Sequence, residues 1–100
     1  MENIKILKAL AHPTRLHILS LLKSPAQSFT AYNNLDKDAV GICVQEMTIV
    51  LNISQSTTSQ HLSILHDAGL LTSTKIGKYT YFKRNEKTIQ LFAEFVSKEI

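Results

Sequence analysis

The sequence predicts a mainly α-helical domain with one β-hairpin, in the order α-α-loop-α-α-β-β-α. Three observations carry this fold class. Apolar residues recur at helical spacing near both ends of the chain. A helix, a tight turn and a second helix fit the residues from Cys43 to Ala68. "LLTSTKIGKYTYFKR" places Thr, Ile, Tyr and Phe at alternating positions around Gly77-Lys78, the pattern of a hairpin with Gly at its turn.

"NIKILKALA" sets Ile4, Leu7, Leu10 and Ala11 on one helical stripe. "HPTRLHILSLLK" restarts the chain, with Pro13 at a first helical position and His12 in the cap region. Leu16, Ile18, Leu19, Leu21 and Leu22 cover most of the circumference, so this second helix is expected to be central and buried. "SPAQSFTAYNNLDKDAVG" has no clear period. Asn33-Asn34 and Asp36-Lys37-Asp38 read as turns, and Phe29 and Tyr32 are candidates to pin the segment to the body. A connection this long, residues 24–41, is uncommon in a compact domain and is expected to be functional or to carry a small element of its own.

"CVQEMTIVLNI" places Met47, Val50 and Leu51 on one face of a short helix. Asn52 suits the left-handed conformation that ends it. Ser54 is a good N-cap for the next helix, which Gly69 stops. In that helix Thr58, Leu62, Leu65 and Ala68 share the inner side. Gln55, Ser56, Ser59, Gln60 and Ser63 share the outer one, and Thr57 completes the polar start. "EKTIQLFAEFVSKEI" ends the chain with Ile89, Phe92, Ala93, Val96 and Ile100 on one stripe, widened by Leu91 and Phe95. A terminal helix this apolar in a small domain needs a partner surface.

One hundred residues make one domain, spanning residues 1–100. No apolar run approaches membrane-spanning length, no secretory leader is evident, and Cys43 alone allows no intrachain disulfide, so a cytoplasmic protein is expected. The net charge of +3 is unevenly spread. Lys75, Lys78, Lys83, Arg84 and Lys87, five of the eleven basic residues, lie between Thr72 and Lys87 against Glu86 alone, which marks a surface for an anionic partner.

The uncharged outer side of residues 55–63 then has a chemical reading. Short side chains let a helix backbone approach base edges in the major groove. Gln can pair both edge atoms of adenine, and Ser or Thr can bond a base or a phosphate. An ordinary solvent-facing helix carries Lys and Glu instead, and this face has neither until Asp67. Lys75 and Lys78 on the hairpin add phosphate contacts. The competing class is a protein-docking module without sequence-specific DNA binding, which would favour exposed aromatic and aliphatic residues on that face.

Four segments together, in this order, resemble winged helix-turn-helix regulators of the ArsR type: "LKALAHPTRLHILSLL", "CVQEM", "LNISQSTTSQHLSILHDAGLL" and "STKIGKYTYFKR". The resemblance covers nearly the whole chain. It implies a homodimer built from the first and the fifth, last, helices, acting as a repressor on a partly palindromic double-stranded DNA operator. It also implies base and backbone contacts from Gln55, Ser56, Ser59 and Gln60, with a wing from Lys75 to Lys78.

The chain departs from that family in its sensing residues. Many relatives hold metals through Cys-Val-Cys; here the stretch is Cys43-Val44-Gln45, and Gln is a poor ligand for soft ions. Residues 86–100 contain no His and no Asp, which others use for zinc or nickel. Thr58 stands where relatives carry an aliphatic residue. No metal or cofactor is expected, and the inducer is open. Cys43 is read either as a redox or thiol switch or as a small buried hydrophobe.

His12 and His17, like His61 and His66, are five apart, the wrong spacing for a helical ligand pair. His61 is expected to pack partly inward and His66 to lie on the surface. Arg15 is a candidate partner for a carboxylate or for the DNA backbone. Tyr79 and Tyr81 are read first as packing at the hairpin root and second as phosphate contacts. No phosphate loop or catalytic pairing supports an enzyme.

Overall fold

The computed structural model describes residues 2–29 and 35–100. Helices α1 (Asn3–Leu10) and α2 (Pro13–Leu21) open the chain. Glu2 caps α1 by accepting from the Ile4 N–H, and His12 caps α2 through Nδ1, with Pro13 at the first helical position. The next segment holds two single-turn helices, α3 (Pro25–Ser28) and α4 (Lys37–Val40). Asp36 caps α4 by accepting from the Asp38 and Ala39 N–H groups, so the turn read at residues 36–38 is the start of a single helical turn. Phe29, 1% exposed, does pin this segment into the core; Tyr32 and Asn33-Asn34 lie outside the described residues.

A short strand β1 (Ile42–Cys43) leads into α5 (Val44–Leu51) and α6 (Gln55–Asp67). Asn52 ends α5 at φ 55° and ψ 46°, the left-handed stop expected of it. The hairpin is β2 (Leu71–Ile76) and β3 (Tyr79–Arg84), and α7 (Glu86–Glu99) closes the chain. The sheet is antiparallel in the order β1-β3-β2, with Ile42 opposite Phe82 and Cys43 opposite Tyr81. The two-residue β1 was not readable from alternation, because two residues carry no period.

The core joins Ile6 and Ala9 of α1 to Ile18, Leu19 and Leu22 of α2, with Phe29, Ile42, Met47, Leu62, Leu65 and Leu70. This corrects three sequence expectations. The stripe of Ile4, Leu7 and Ala11 on α1 faces outward, with Ile4 59% exposed, because Ile6 and Ala9 take the inner side. Leu16 of α2 is 52% exposed, so that helix is covered on one side only. Val50 of α5 is exposed, and Met47 fills the core beside β1. No residue of α7 is buried; Ile89 and Phe92 lean on the core while Val96 and Ile100 face out. The single chain therefore leaves apolar side chains of α1 and α7 uncovered.

Lys37 and Glu46 form a buried ion pair at 2.9 Å that fastens α4 to the first turn of α5. Gly41 lets the chain pass close to β3 between them. At φ +100° an L side chain is strained there, and a Cβ would strike the Phe82 carbonyl oxygen. Gly77, at φ +62° in the hairpin turn, has open space around it. Gly41→Ala is expected to destabilise the fold by about 2–4 kcal/mol, through strain plus the backbone clash, and Gly77→Ala by about 1 kcal/mol. Denaturant unfolding of the two variants checks this; equal losses would mean that β1 does not press on β3.

Candidate nucleic-acid interface

The N-terminus of α6 is built from its own hydroxyls. The Ser54 Oγ accepts from the Thr57 N–H at 3.2 Å and donates to the Thr57 hydroxyl at 2.8 Å. The Thr58 hydroxyl, fully buried, donates to the Ser54 carbonyl at 3.0 Å. Thr58 thus satisfies its polar atom locally while its methyl joins the core, which is how a hydroxyl residue occupies an aliphatic position without an orphaned group.

With Thr58, Leu62, Leu65 and Ala68 buried, the opposite side of α6 faces solvent. Gln55, Ser56, Thr57, Gln60 and Ser63 are exposed and Ser59 is half-buried. At 100° per residue Gln55, Ser56, Ser59, Gln60 and Ser63 fall within an arc of about 140°, and Thr57 stands about 60° beyond it. The Thr57 hydroxyl belongs to the cap, and the Ser56 hydroxyl lies 3.4 Å from the same Ser54 Oγ. The surface offers amide and hydroxyl groups and no charge, at a helix end whose free N–H groups favour a phosphate oxygen.

Of the five cations read between Thr72 and Lys87, Lys87 lies on α7 and two of the hairpin's four are spent at its root. Lys83 donates to the Ala39 carbonyl at 3.1 Å, closing the C-terminal end of α4. Arg84 pairs with Glu86 at 2.9 Å and donates to the Leu19 carbonyl at 3.4 Å. Lys75 and Lys78 remain exposed at the hairpin end, with the Lys78 ammonium 5.6 Å from the centre of the Tyr79 ring. The hairpin is tied to α6 by His66, whose Nε2 lies 3.2 Å from the Ser73 hydroxyl and whose ring meets Phe82 edge-on. The outer side of α6 and the hairpin tip are thereby held as one unit.

Tyr81 is buried and packs at the hairpin root as expected; burial, and then the Cys43 thiol beside it, pushes its hydroxyl above the usual phenol range. Tyr79 is 38% exposed and stays on the surface, so packing at the root describes Tyr81 alone. Cys43 is 3% exposed and occupies the N-cap position of α5 without a side-chain cap bond. Its reading as a small buried hydrophobe therefore has direct packing support.

Arg15 contacts neither a carboxylate nor the outer face of α6. Its Nε donates to the Ala9 carbonyl at 2.6 Å, and its Nη1 lies 3.2 Å from His61 Nδ1. His61 is 9% exposed and its ring meets that of His12, with centroids 4.6 Å apart. Neither of the sequence-spaced pairs, His12 with His17 or His61 with His66, is the one in ring contact; the pair that forms, His12 with His61, crosses between elements. Among the described residues no group of three or more His, Cys, Asp or Glu side chains could hold a metal ion. No helix of the described residues is long and apolar enough to cross a membrane.

Residues 42–73, from β1 to the start of the hairpin, match the model of the bacterial regulatory protein, arsR family. YbzH of Bacillus subtilis, an uncharacterised HTH-type transcriptional regulator, is 45% identical over 100 residues, the full length of both chains. The chain belongs to the ArsR family of helix-turn-helix transcriptional regulators. It is a DNA-binding regulator of the winged helix-turn-helix class and not an enzyme. YgaV of Escherichia coli, another HTH-type transcriptional regulator, is 32% identical over 89 residues, covering 88% of this chain and 76% of YgaV. The homodimeric winged helix-turn-helix domain of Mb0332 from Mycobacterium bovis superposes with a TM-score of 0.64 at 27% identity, over 96% of this chain and 78% of that one.

In this family member the Ser54 cap orders the end of α6 that presents the polar face. Ser54→Ala is expected to cost about 1 kcal/mol of stability, the typical loss for an N-cap hydroxyl. It should also raise amide exchange in the first turn of α6 ahead of the rest of the helix. Uniform exchange along α6 in the variant would show that core packing alone fixes that turn.

Proposed function

We propose that this protein is a homodimeric repressor that reads a partly palindromic operator with two copies of α6. The observation that carries this reading is the outer face of α6, where Gln55, Ser56, Ser59, Gln60 and Ser63 stand uncharged beside the exposed Lys75 and Lys78. Gln60, in the second turn, supplies base-edge recognition; Gln55, Ser56, Thr57, Ser59 and Ser63 share base and phosphate contacts. Lys75 and Lys78 contact phosphates flanking the groove. A docking module would instead carry aliphatic or aromatic residues there.

Dimerisation follows from what the single chain leaves uncovered. Ile4 and Leu7 of α1, Val96 of α7 and Ile100 at its C-cap are exposed apolar side chains on or beside the chain's first and last helices. The Mb0332 domain, similar over most of this chain, is homodimeric. Two-fold symmetry then sets two α6 helices against successive major grooves, with half-sites about 34–36 Å apart. Repression follows when such a dimer occupies promoter DNA. Its release by a signal falls to groups other than a thiolate metal site, because Cys43 is the chain's one cysteine and is buried.

Two measurements test this reading. Leu7→Glu with Val96→Glu puts charges into the apolar seam and should convert a dimer into a monomer in sedimentation at micromolar concentration. A wild-type monomer under the same conditions would overturn the dimer. In operator binding, Gln60→Ala should lose about 1–3 kcal/mol of discrimination at one base-pair position per half-site. Lys78→Ala should weaken all sequences alike and shallow the salt slope by about one unit. The reverse pattern would exchange the roles of helix and wing.

A further inference from the structure

Arg15 extends from α2 toward the C-terminal end of α1 and the inner side of α6. Its Nε donates to the Ala9 carbonyl at 2.6 Å and its Nη2 to the Lys8 carbonyl at 3.4 Å. Its Nη1 stands 3.2 Å from His61 Nδ1. A guanidinium only donates, so this His61 nitrogen accepts and the ring is neutral, with its proton on Nε2. The His61 ring also lies against His12, tilted by 57°. His12 in turn uses Nδ1 to accept the Thr14 N–H at 3.1 Å. Three helices meet through these three side chains.

We propose that Arg15 and His61 are positioning residues for operator recognition, forming a proton-sensitive link that holds α6 to α1 and loosens operator binding when His61 takes up a proton. The proposal rests on the reading of α6 as the recognition helix. A proton on Nδ1 turns the acceptor into a donor facing a donor, and sets a cation against the guanidinium. No carboxylate answers it. From α1 the group offered is the Lys8 carbonyl, its ammonium end being exposed. From α2 come Arg15 and His12, while His17 is on the surface. The acid of α5, Glu46, is held by Lys37, and the cation of β2, Lys75, is exposed.

Burial, then His12, then Arg15 lower the proton affinity of His61 below the ordinary imidazole value. The link is therefore intact above that ordinary value and lost as pH falls through the lowered one. α1 belongs to the proposed dimer seam, so a loosened link frees the spacing of the two α6 helices that an operator requires.

The sign of the effect discriminates. Protonated histidines add positive charge, which by itself tightens DNA binding. The link instead predicts operator binding that weakens as the pH is lowered from about 7.5 through the His61 ring titration at constant ionic strength. The expected loss is about tenfold for wild type and less than about twofold for His61→Gln, whose amide oxygen still accepts from Arg15. His12→Asn keeps the cap of α2 and should retain most of the loss. Unchanged or tighter binding by wild type in acid, or an equal loss in His61→Gln, would overturn the proposal.

Amide exchange of the free protein reads the same link without DNA. Protection of α6, corrected for the intrinsic pH effect, should fall with the midpoint of the His61 ring titration. A fall that follows His17 or His66, or no fall, would overturn the link even where His61→Gln fails to fold. Absence of operator binding at neutral pH with the exchange result intact would count against the recognition reading alone.

Discussion

The burial of one side of α6 is the constraint on which the rest of the protein depends. Leu62, Leu65 and Thr58 are at most 1% exposed and meet Ile6, Ile18, Ile42 and Met47, so α1, α2, α5 and the sheet all converge on this helix. Packing fixes which side faces out, and the outward side can then be chosen for chemistry rather than for helix stability. Ser, Thr and Gln at the start of a helix would be a poor choice in an isolated peptide. Here the Ser54 cap and the Thr58 back-bond satisfy the local hydroxyls, and the core supplies the stability. The result is an uncharged polar surface held at a fixed angle, with the backbone near enough for close approach to a ligand edge.

Charge plays a narrower part than composition suggests. The hairpin's own cations divide into two groups: Lys83 and Arg84 bind carbonyls and Glu86 at the root, while Lys75 and Lys78 stay exposed at the tip. Root contacts fix the hairpin against α2, α4 and α7. Tip charges are available to a polyanion, where their effect is salt-dependent and indifferent to sequence. The His66 contact with Ser73 keeps tip and helix in register. Internal electrostatics follow the same economy: Lys37 and Glu46 answer each other, and Arg15 is answered by two backbone carbonyls and a neutral imidazole.

Much of this was legible in the sequence. The turn at Asn52, the cap at Ser54, the inner face of α6 and the hairpin around Gly77 each follow from local rules, and each local signal agrees with the global fold. What the sequence concealed is non-local. Helix α1 is apolar on two sides, and no periodicity tells which side is the core and which awaits a partner; Ile6 and Ala9 win the core because α2 and α6 meet them. The roles of Lys37 and Arg15 depend on partners nine and forty-six positions away, Glu46 and His61. Strand β1 exists only through pairing with β3. The candidate recognition face was legible because it lies within one helix; the link behind it was not, because it joins three.

The most direct measurement of recognition by the uncharged face is an amide NMR titration of the protein with operator DNA. The largest shifts are expected between Gln55 and Ser63 and at the hairpin tip from Lys75 to Lys78, with the exposed apolar side chains of Ile49 and Leu16 little affected. Largest shifts at Ile49, Val50 and Leu16, with α6 unmoved, would contradict recognition by α6 and place the binding surface on the other side of the helix-turn-helix.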